Sequence, residues 1–158
     1  MKISESEENY IKCIYHLHVP GQGVSATLLA ASVQTKAASV TEMLKRLSRK
    51  KLINYKPYHN FTLTELGNKI ALEVIRKHRL WEYFLVEKLG FDWHEVHTIA
   101  EELEHISSKE LIHRLEAFLG SPSFDPHGDP IPDRFGKMNT VRQTCLSEIP
   151  EKKLVTVN

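Results

Sequence analysis

Six side chains that could bind a metal ion fall at helical spacing on two segments of the chain. His78 and Glu82 are four residues apart, so they share one face of a helix. The second segment carries four more at offsets of 0, 4, 7 and 8, which also fall on one face: His97, Glu101, Glu104 and His105. Imidazole nitrogen and carboxylate oxygen suit divalent Mn, Fe, Co, Ni or Zn. The set lacks a thiolate, which argues against a structural cysteine-type zinc site.

A polar helix face that merely carries Glu and His is the ordinary explanation for any one of these residues. Three histidines in register with three carboxylates favour a metal site instead. The neighbouring apolar stripe would place the ligands at the edge of the core: Val96, Ile99, Ala100 and Leu103. Five of the six other histidines have no such partners and are expected to be surface or core residues: His16, His18, His94, His113 and His127.

The segments upstream predict a winged helix-turn-helix. Ser4 or Ser6 can cap a first helix, Ser25 opens a short second helix through Ala31 with Leu28 and Leu29 inward, and a third helix spans roughly 36–51. Short strands at 52–55 and 61–64 flank a turn at 56–60. Helices at about 65–89, 93–105 and 108–119 follow. The segment 121–136 contains four prolines and is read as a loop or linker, and 152–157 resembles a strand.

The third helix is the expected recognition helix, whose N-terminal side chains would enter the major groove. Between Val33 and His59 seven bases face one acid, a local charge of +6, whereas 90–108 carries five acids and no Lys or Arg, a charge of −5. A basic surface favours polyanions and an acidic, His-bearing one favours cations. The candidate DNA-binding residues are Lys36, Ala37, Ala38, Ser39, Thr41, Glu42, Lys45, Arg46 and Arg49.

Length and composition fit a globular chain of one to two small domains. The 158 residues are 41% hydrophobic and 26% charged, and no apolar run approaches the roughly 18 residues that span a bilayer. We therefore expect an intracellular, cytoplasmic protein without a disulfide framework. The predicted fold class is mainly α. It comprises a winged helix-turn-helix at 1–65, an all-helical metal-binding and dimerisation domain at 66–120, and at 121–158 a Pro-rich linker with the start of a truncated SH3-like domain.

The sequence resembles metal-dependent transcriptional repressors of the diphtheria toxin repressor and manganese transport regulator type, from about Ser6 to Pro132. The most specific stretches are 74–82, 96–105 and 128–132. The resemblance implies a homodimer that binds a palindromic operator in double-stranded DNA, and two metal sites in its helical body. His78, Glu82 and His97 match one site. Glu101, Glu104 and His105 match the regulatory site, whose remaining ligand aligns with Asn9.

The resemblance also bears on the choice of metal. Manganese-type members carry acids at the positions of Asn9 and Lys12, and a charged Lys12 cannot act as a ligand. Glu101 stands where iron-type members have Cys, and hard oxygen ligands favour Mn²⁺. We expect Mn²⁺, with Fe²⁺ close behind, and a metal-responsive repressor rather than an enzyme. Two alternatives are a metal-independent winged-helix regulator and, on a single Glu102-x-x-His105 pair, a di-metal carboxylate enzyme, which would need a second such pair.

Overall fold

The computed structural model describes residues 2–138. Within that range the chain forms six α-helices and two short β-strands. In chain order they are α1 (Glu5–Leu17), α2 (Ala26–Ser32), α3 (Ala37–Arg49), β1 (Ile53–Asn54), β2 (Thr62–Leu63), α4 (Glu65–Leu89), α5 (Val96–Leu103) and α6 (Lys109–Phe118). No helix among these residues combines the length and apolar character that crossing a membrane requires. The expected strand at 152–157 lies outside the described residues.

Hydroxyl side chains set the starts of four helices. Ser4 caps α1, and its backbone N–H donates back to Glu7, which completes a capping box. Ser25, Thr64 and Ser108 cap α2, α4 and α6 by accepting backbone N–H groups in the first turn. Each of these side chains satisfies one of the backbone N–H groups that have no partner within the first turn of a helix.

The N-terminal part is a winged helix-turn-helix with its own apolar core. Helices α1, α2 and α3 bury one set of aliphatic side chains against the wing: Ile11, Ile14, Leu29, Val40, Leu44, Leu47, Leu52 and Phe61. β1 and β2 pair antiparallel, with Ile53 opposite Leu63. The expectation that Leu28 points inward is wrong, because Leu28 is 47% exposed and Leu29 alone supplies the buried position of α2.

The helical body is built on α4, which packs against both α1 and α5. A second apolar cluster joins α4, α5, α6 and the following loop through Leu80, Trp81, Ala100, Leu115 and Ile131. This arrangement of a winged helix-turn-helix followed by a helical body confirms the predicted mainly-α fold class.

Helix α5 is shorter than the predicted 93–105. The backbone N–H groups of His94 and Glu95 instead bond to Asp92, which forms a turn before the helix. α5 ends at Leu103, so Glu104 is its C-cap residue. The Glu104 N–H still bonds to the Ala100 carbonyl at 2.9 Å, and the helical register of the candidate ligands is therefore kept through Glu104.

The Pro-rich segment after α6 is a loop that packs on the body. Ile131 is buried, and the Arg79 guanidinium on α4 donates to the Pro130 carbonyl. Asp125 is also buried, and its Oδ1 accepts the backbone N–H groups of His127 and Asp129. The turn at 125–129 is thereby held beside α4.

Candidate metal centre and nucleic-acid interface

Three of the candidate ligands converge between α4 and α5. His78 and Glu82 come from α4, where both are buried, and His97 comes from the more exposed first turn of α5. His78 Nε2 lies 3.0 Å from Glu82 Oε1 and 3.2 Å from His97 Nδ1, and the third side of the triangle, His97 Nδ1 to Glu82 Oε1, is 3.4 Å. Within residues 2–138 this is the one group of three ligand-type side chains that brings its donor atoms within 4.8 Å of one another.

The spacing of these atoms fits a shared metal ion. Metal–nitrogen and metal–oxygen bonds of about 2.0–2.2 Å place neighbouring ligand atoms roughly 3.0–3.5 Å apart at octahedral or tetrahedral angles. The three measured separations fall in that range. Two imidazole nitrogens and one carboxylate oxygen also form a donor set that divalent transition metals accept.

His127 is a fourth potential ligand that sequence reasoning left aside. Its Nε2 lies 3.6 Å from Glu82 Oε1, and its ring packs edge-on against Trp93. No helical spacing connects His127 to the other three residues, because it is carried by the loop after α6. Only the packing of that loop on α4 brings it to the site.

Glu104 sits behind His78 and fixes the orientation of its ring. His78 Nδ1 lies 2.6 Å from Glu104 Oε2, and an ionised carboxylate can only accept, so the Nδ1–H donates. Nε2 is thereby directed at Glu82 and His97. Carboxylates that hold the far nitrogen of a ligand histidine in this way set its tautomer and raise its basicity.

His78, Glu82 and Glu104 shift one another's pKa values through their contacts. Burial lowers the pKa of His78, but hydrogen bonds to Glu104 and Glu82 outweigh it and the net pKa is raised. Burial raises the pKa values of Glu82 and Glu104, yet their contacts with His78, and that of Glu104 with Lys12, bring both below the usual range. Both carboxylates are therefore anionic at neutral pH, as cation binding requires.

The second predicted ligand group is arranged differently. The Lys12 ammonium on α1 lies 2.6 Å and 2.8 Å from the two oxygens of Glu104 and 3.3 Å from Glu101 Oε1. His105 Nδ1 is 2.6 Å from Glu8 Oε2, and His105 Nε2 is 3.7 Å from Glu104 Oε1. Glu104 thus lies near His105 and shares Lys12 with Glu101, but these three residues do not bring their donor atoms within 4.8 Å of one another, and Lys12 and Glu8 are their partners from α1.

Asn9, the expected remaining ligand, has an exposed side chain. The neighbouring Glu8 is the residue of α1 that reaches His105. Alignment by position pointed to Asn9. The capping box at Ser4 and Glu7 fixes where α1 begins, but it does not identify which residue faces α5.

The predicted DNA-binding residues lie along one side of α3. All are exposed except the half-buried Thr41, and Val40, Leu44 and Leu47 on the opposite side are fully buried. Glu42 lies 3.6 Å from Arg49 and 3.9 Å from Lys45, so part of the basic charge is paired within the helix. The Thr41 hydroxyl donates to the Ala37 carbonyl at 2.9 Å.

The basic run at the end of α3 divides into two roles. Arg46 and Arg49 are exposed. Lys50, in contrast, lies 2.7 Å from the buried Glu7 carboxylate and donates to the Lys2 carbonyl at 2.8 Å. Lys50 therefore ties α3 to α1 and is not free for a polyanion.

Comparison with protein families gives two adjoining matches. Residues 2–60 match the family model of the iron-dependent repressor N-terminal DNA-binding domain. Residues 64–133 match that of the iron-dependent repressor metal-binding and dimerisation domain. The boundary between the matches falls at β2 and the start of α4, whereas the two apolar clusters of the fold divide within α4, between Ala71 and Leu80.

Individual relatives agree with these matches. The iron-dependent repressor IdeR of Mycobacterium tuberculosis is 33% identical over 131 residues, which are 83% of this chain and 57% of that protein. The chain thus spans just over half the length of this relative. An HTH-type transcriptional regulator of Methanocaldococcus jannaschii is 37% identical over 118 residues, 74% of this chain and 94% of its own length.

A solved structure of a manganese-dependent transcriptional repressor in complex with manganese superimposes with a TM-score of 0.78 at 39% identity. The match covers 86% of this chain and 63% of that one. The fold, the two adjoining domain matches and the relatives all point to one family, whose members are transcriptional repressors and not enzymes. The chain belongs to this family, the iron-dependent repressors, which are metal-binding DNA-binding proteins.

Proposed function

We propose that this protein is a metal-responsive DNA-binding transcriptional repressor that controls genes of metal-ion homeostasis. The observation that carries the proposal is the triangle of His78, Glu82 and His97, which lies in the body directly behind a winged helix-turn-helix. Such a switch requires two parts. One is a DNA-binding head, here the winged helix-turn-helix of residues 2–63 with its exposed basic recognition helix. The other is a body that binds a cation, here the helical part from α4 onward.

The residues of the triangle bind the ion from two helices. His78 and Glu82 bind from α4, His97 binds from α5, and His127 is in reach from the loop. Glu104 keeps Nε2 of His78 pointed at the site. When bound, the ion supplies a positive charge shared by α4 and α5, which holds the two helices together.

Mn²⁺ or Fe²⁺ is the proposed corepressor. The related repressors are named for iron or manganese. The donor set here is two imidazoles and carboxylate oxygen without sulfur, which suits both ions. Because later divalent metals bind such sites more tightly as a rule, other transition metals are expected to bind in vitro as well.

The head reads DNA through α3. Ala37, Ala38, Ser39, Thr41 and Glu42, in the first two turns, are placed to meet base edges in the major groove. The basic residues Lys36, Lys45, Arg46 and Arg49 contact phosphates, which position the helix without reading sequence. α1 connects this head to the body, since it packs in the core of the head and against α4.

A homodimer on a palindromic operator in the cytoplasm completes the proposal. The family model of the body is that of a dimerisation domain. The body also exposes several large apolar side chains that a partner could cover: Leu89, Phe91, Trp93, Leu111 and Phe118. We assign DNA binding to 1–65, metal binding and dimerisation to 66–120, and the linker with further sequence to 121–158.

The function is tested by selecting random duplex DNA with the purified protein, in parallel with Mn²⁺ and with chelator. Enrichment of a palindrome in the metal arm alone is the expected result. Equal enrichment in both arms would make the protein a metal-independent regulator, and enrichment in neither would remove the repressor assignment.

A further inference from the structure

Lys12 occupies a position between two carboxylates of α5 that is unusual for a surface lysine. Its side chain is 13% exposed, and that of Glu104 is fully buried. The ammonium lies 2.6 Å and 2.8 Å from the two Glu104 oxygens and 3.3 Å from Glu101 Oε1. A buried carboxylate needs a nearby cation or several donors to remain charged. Lys12 supplies Glu104 with a fixed cation, beside the Nδ1–H that His78 donates.

A second metal ion does not fit the same residues as they stand. Both Glu104 oxygens are within hydrogen-bond distance of the ammonium, and Glu104 Oε2 also accepts from His78. The nearby His105 nitrogen Nδ1 is engaged by Glu8. A divalent ion here would lie within a few ångströms of a fixed positive charge, and like charges at such distances repel strongly in a buried site.

We propose that Lys12 is a tethered cation that takes the place of a second metal ion, so that each protomer binds one ion, at His78, Glu82 and His97. Lys12 joins α1 to α5 through Glu104 and Glu101 whether or not metal is present. The inference builds on the proposed function, because it assigns to one ion the regulation that the family resemblance distributes over two sites.

The same contacts connect the single metal site to the DNA-binding head. His78 binds the ion through Nε2 and donates its Nδ1–H to Glu104, and Glu104 binds Lys12 on α1. One carboxylate therefore separates a metal ligand from the first helix of the head. A shift of α5 relative to α4 moves Glu104 and Glu101 together, and Lys12 moves α1 with them.

The experiment measures Mn²⁺ bound per protomer by equilibrium dialysis and elemental analysis of the full chain, for wild type, Lys12→Met and Lys12→Arg. Met keeps the length of the side chain and removes its charge, and Arg keeps the charge. We expect one ion for wild type and for Lys12→Arg, and two for Lys12→Met. Lys12→Glu, which adds a ligand oxygen, is expected to bind a second ion more tightly than Lys12→Met.

The inference would be overturned if wild type bound two ions. It would also be overturned if neither Lys12→Met nor Lys12→Glu bound more Mn²⁺ per protomer than wild type. Far-ultraviolet circular dichroism of each variant shows that α1 is retained, and the Lys12→Glu arm decides the case if Lys12→Met does not fold. The proposed function fails differently. If wild type binds no ion and Lys12→Met binds one, the first site is absent while the role of Lys12 stands.

Discussion

The Nδ1 atom of His78 lies 2.6 Å from the Oε2 atom of Glu104, and this contact joins the candidate metal centre to the residues that hold α1. His78 faces Glu82 and His97 with its other nitrogen. Glu104 faces Lys12 with both oxygens. We therefore expect a change in the occupancy of the metal centre to reach α1 through Glu104, and through Glu101, which lies 3.5 Å from His97 Nε2 and 3.3 Å from the Lys12 ammonium.

Replacing Glu104 with Gln should weaken metal binding although Glu104 is placed behind His78 and not in the triangle. The amide keeps the shape but loses the charge that orients the imidazole. Loss of such a partner lowers metal affinity by about 10–100-fold. Titration of Mn²⁺ by calorimetry measures the effect, with the exposed Glu102→Gln on the same helix as the control. Equal affinities for the two variants would contradict this role of Glu104.

His127 should contribute to the metal centre less than His97 does. His97→Ala removes one side of the triangle, and binding of Mn²⁺ at this site is expected to be lost. His127→Ala removes a group at its edge and should reduce affinity by about 10-fold. The exposed His113→Ala on α6 serves as the matched control. If His127→Ala binds Mn²⁺ as the control does, the loop after α6 has no part in the site.

Arg46 on α3 and Lys50, the C-cap residue of α3, should respond differently to truncation. Arg46→Ala should weaken DNA binding on all sequences alike and reduce the slope of log affinity against log salt by about 1. Lys50→Ala should leave that slope unchanged and lower the free energy of unfolding by about 2 kcal/mol, because Glu7 is left buried without its cation. Salt titrations of DNA binding measure the slope, and urea unfolding measures the stability of each variant. A reduced slope for Lys50→Ala would mean that Lys50 contacts DNA after all.

Gly67 should not tolerate a methyl group. A Cβ at this position would lie 2.1 Å from the backbone oxygen of Leu52, where α4 begins beside the wing. In Gly67→Ala either the start of α4 or the backbone at Leu52 must move, and we expect this to lower the free energy of unfolding by about 3 kcal/mol. Urea unfolding measures the change, with the exposed Lys69→Ala as the control. A midpoint equal to that of the control would mean that the two segments are not in fixed contact.

The sequence predicted the bounds of those helices whose ends carry a capping side chain or a C-terminal glycine. α4 begins after the Thr64 cap and ends at Leu89, before the C-cap Gly90, whose φ of 71° suits a residue without a side chain. The predicted and observed bounds of this helix therefore agree. α5 has no side-chain cap at Glu95, and its predicted start was three residues early. Leu28 was misplaced because a seven-residue helix offers too little periodicity to define its buried face.

Helical spacing placed His78 and Glu82 on one face of one helix and His97 on a face of another, and the family resemblance grouped the three as one site. The contacts of Lys12, Glu8 and His127 were not, since each depends on how a separate segment packs on α5 or α4. Lys12 to Glu104 spans 92 residues of sequence, and no local pattern specifies such a pair. Sequence reasoning did identify Lys12 as incompatible with a metal ligand.

The most direct test of metal control is the affinity of the protein for its selected palindrome, measured by fluorescence anisotropy with Mn²⁺ and with chelator, for wild type and His97→Ala. We expect Mn²⁺ to tighten binding of wild type by roughly 5- to 150-fold, a coupling of about 1–3 kcal/mol. We expect His97→Ala to bind with the weak, metal-indifferent affinity of the chelator arm. Equal wild-type affinity in the two arms, or full metal response in His97→Ala, would show that the triangle does not control DNA binding.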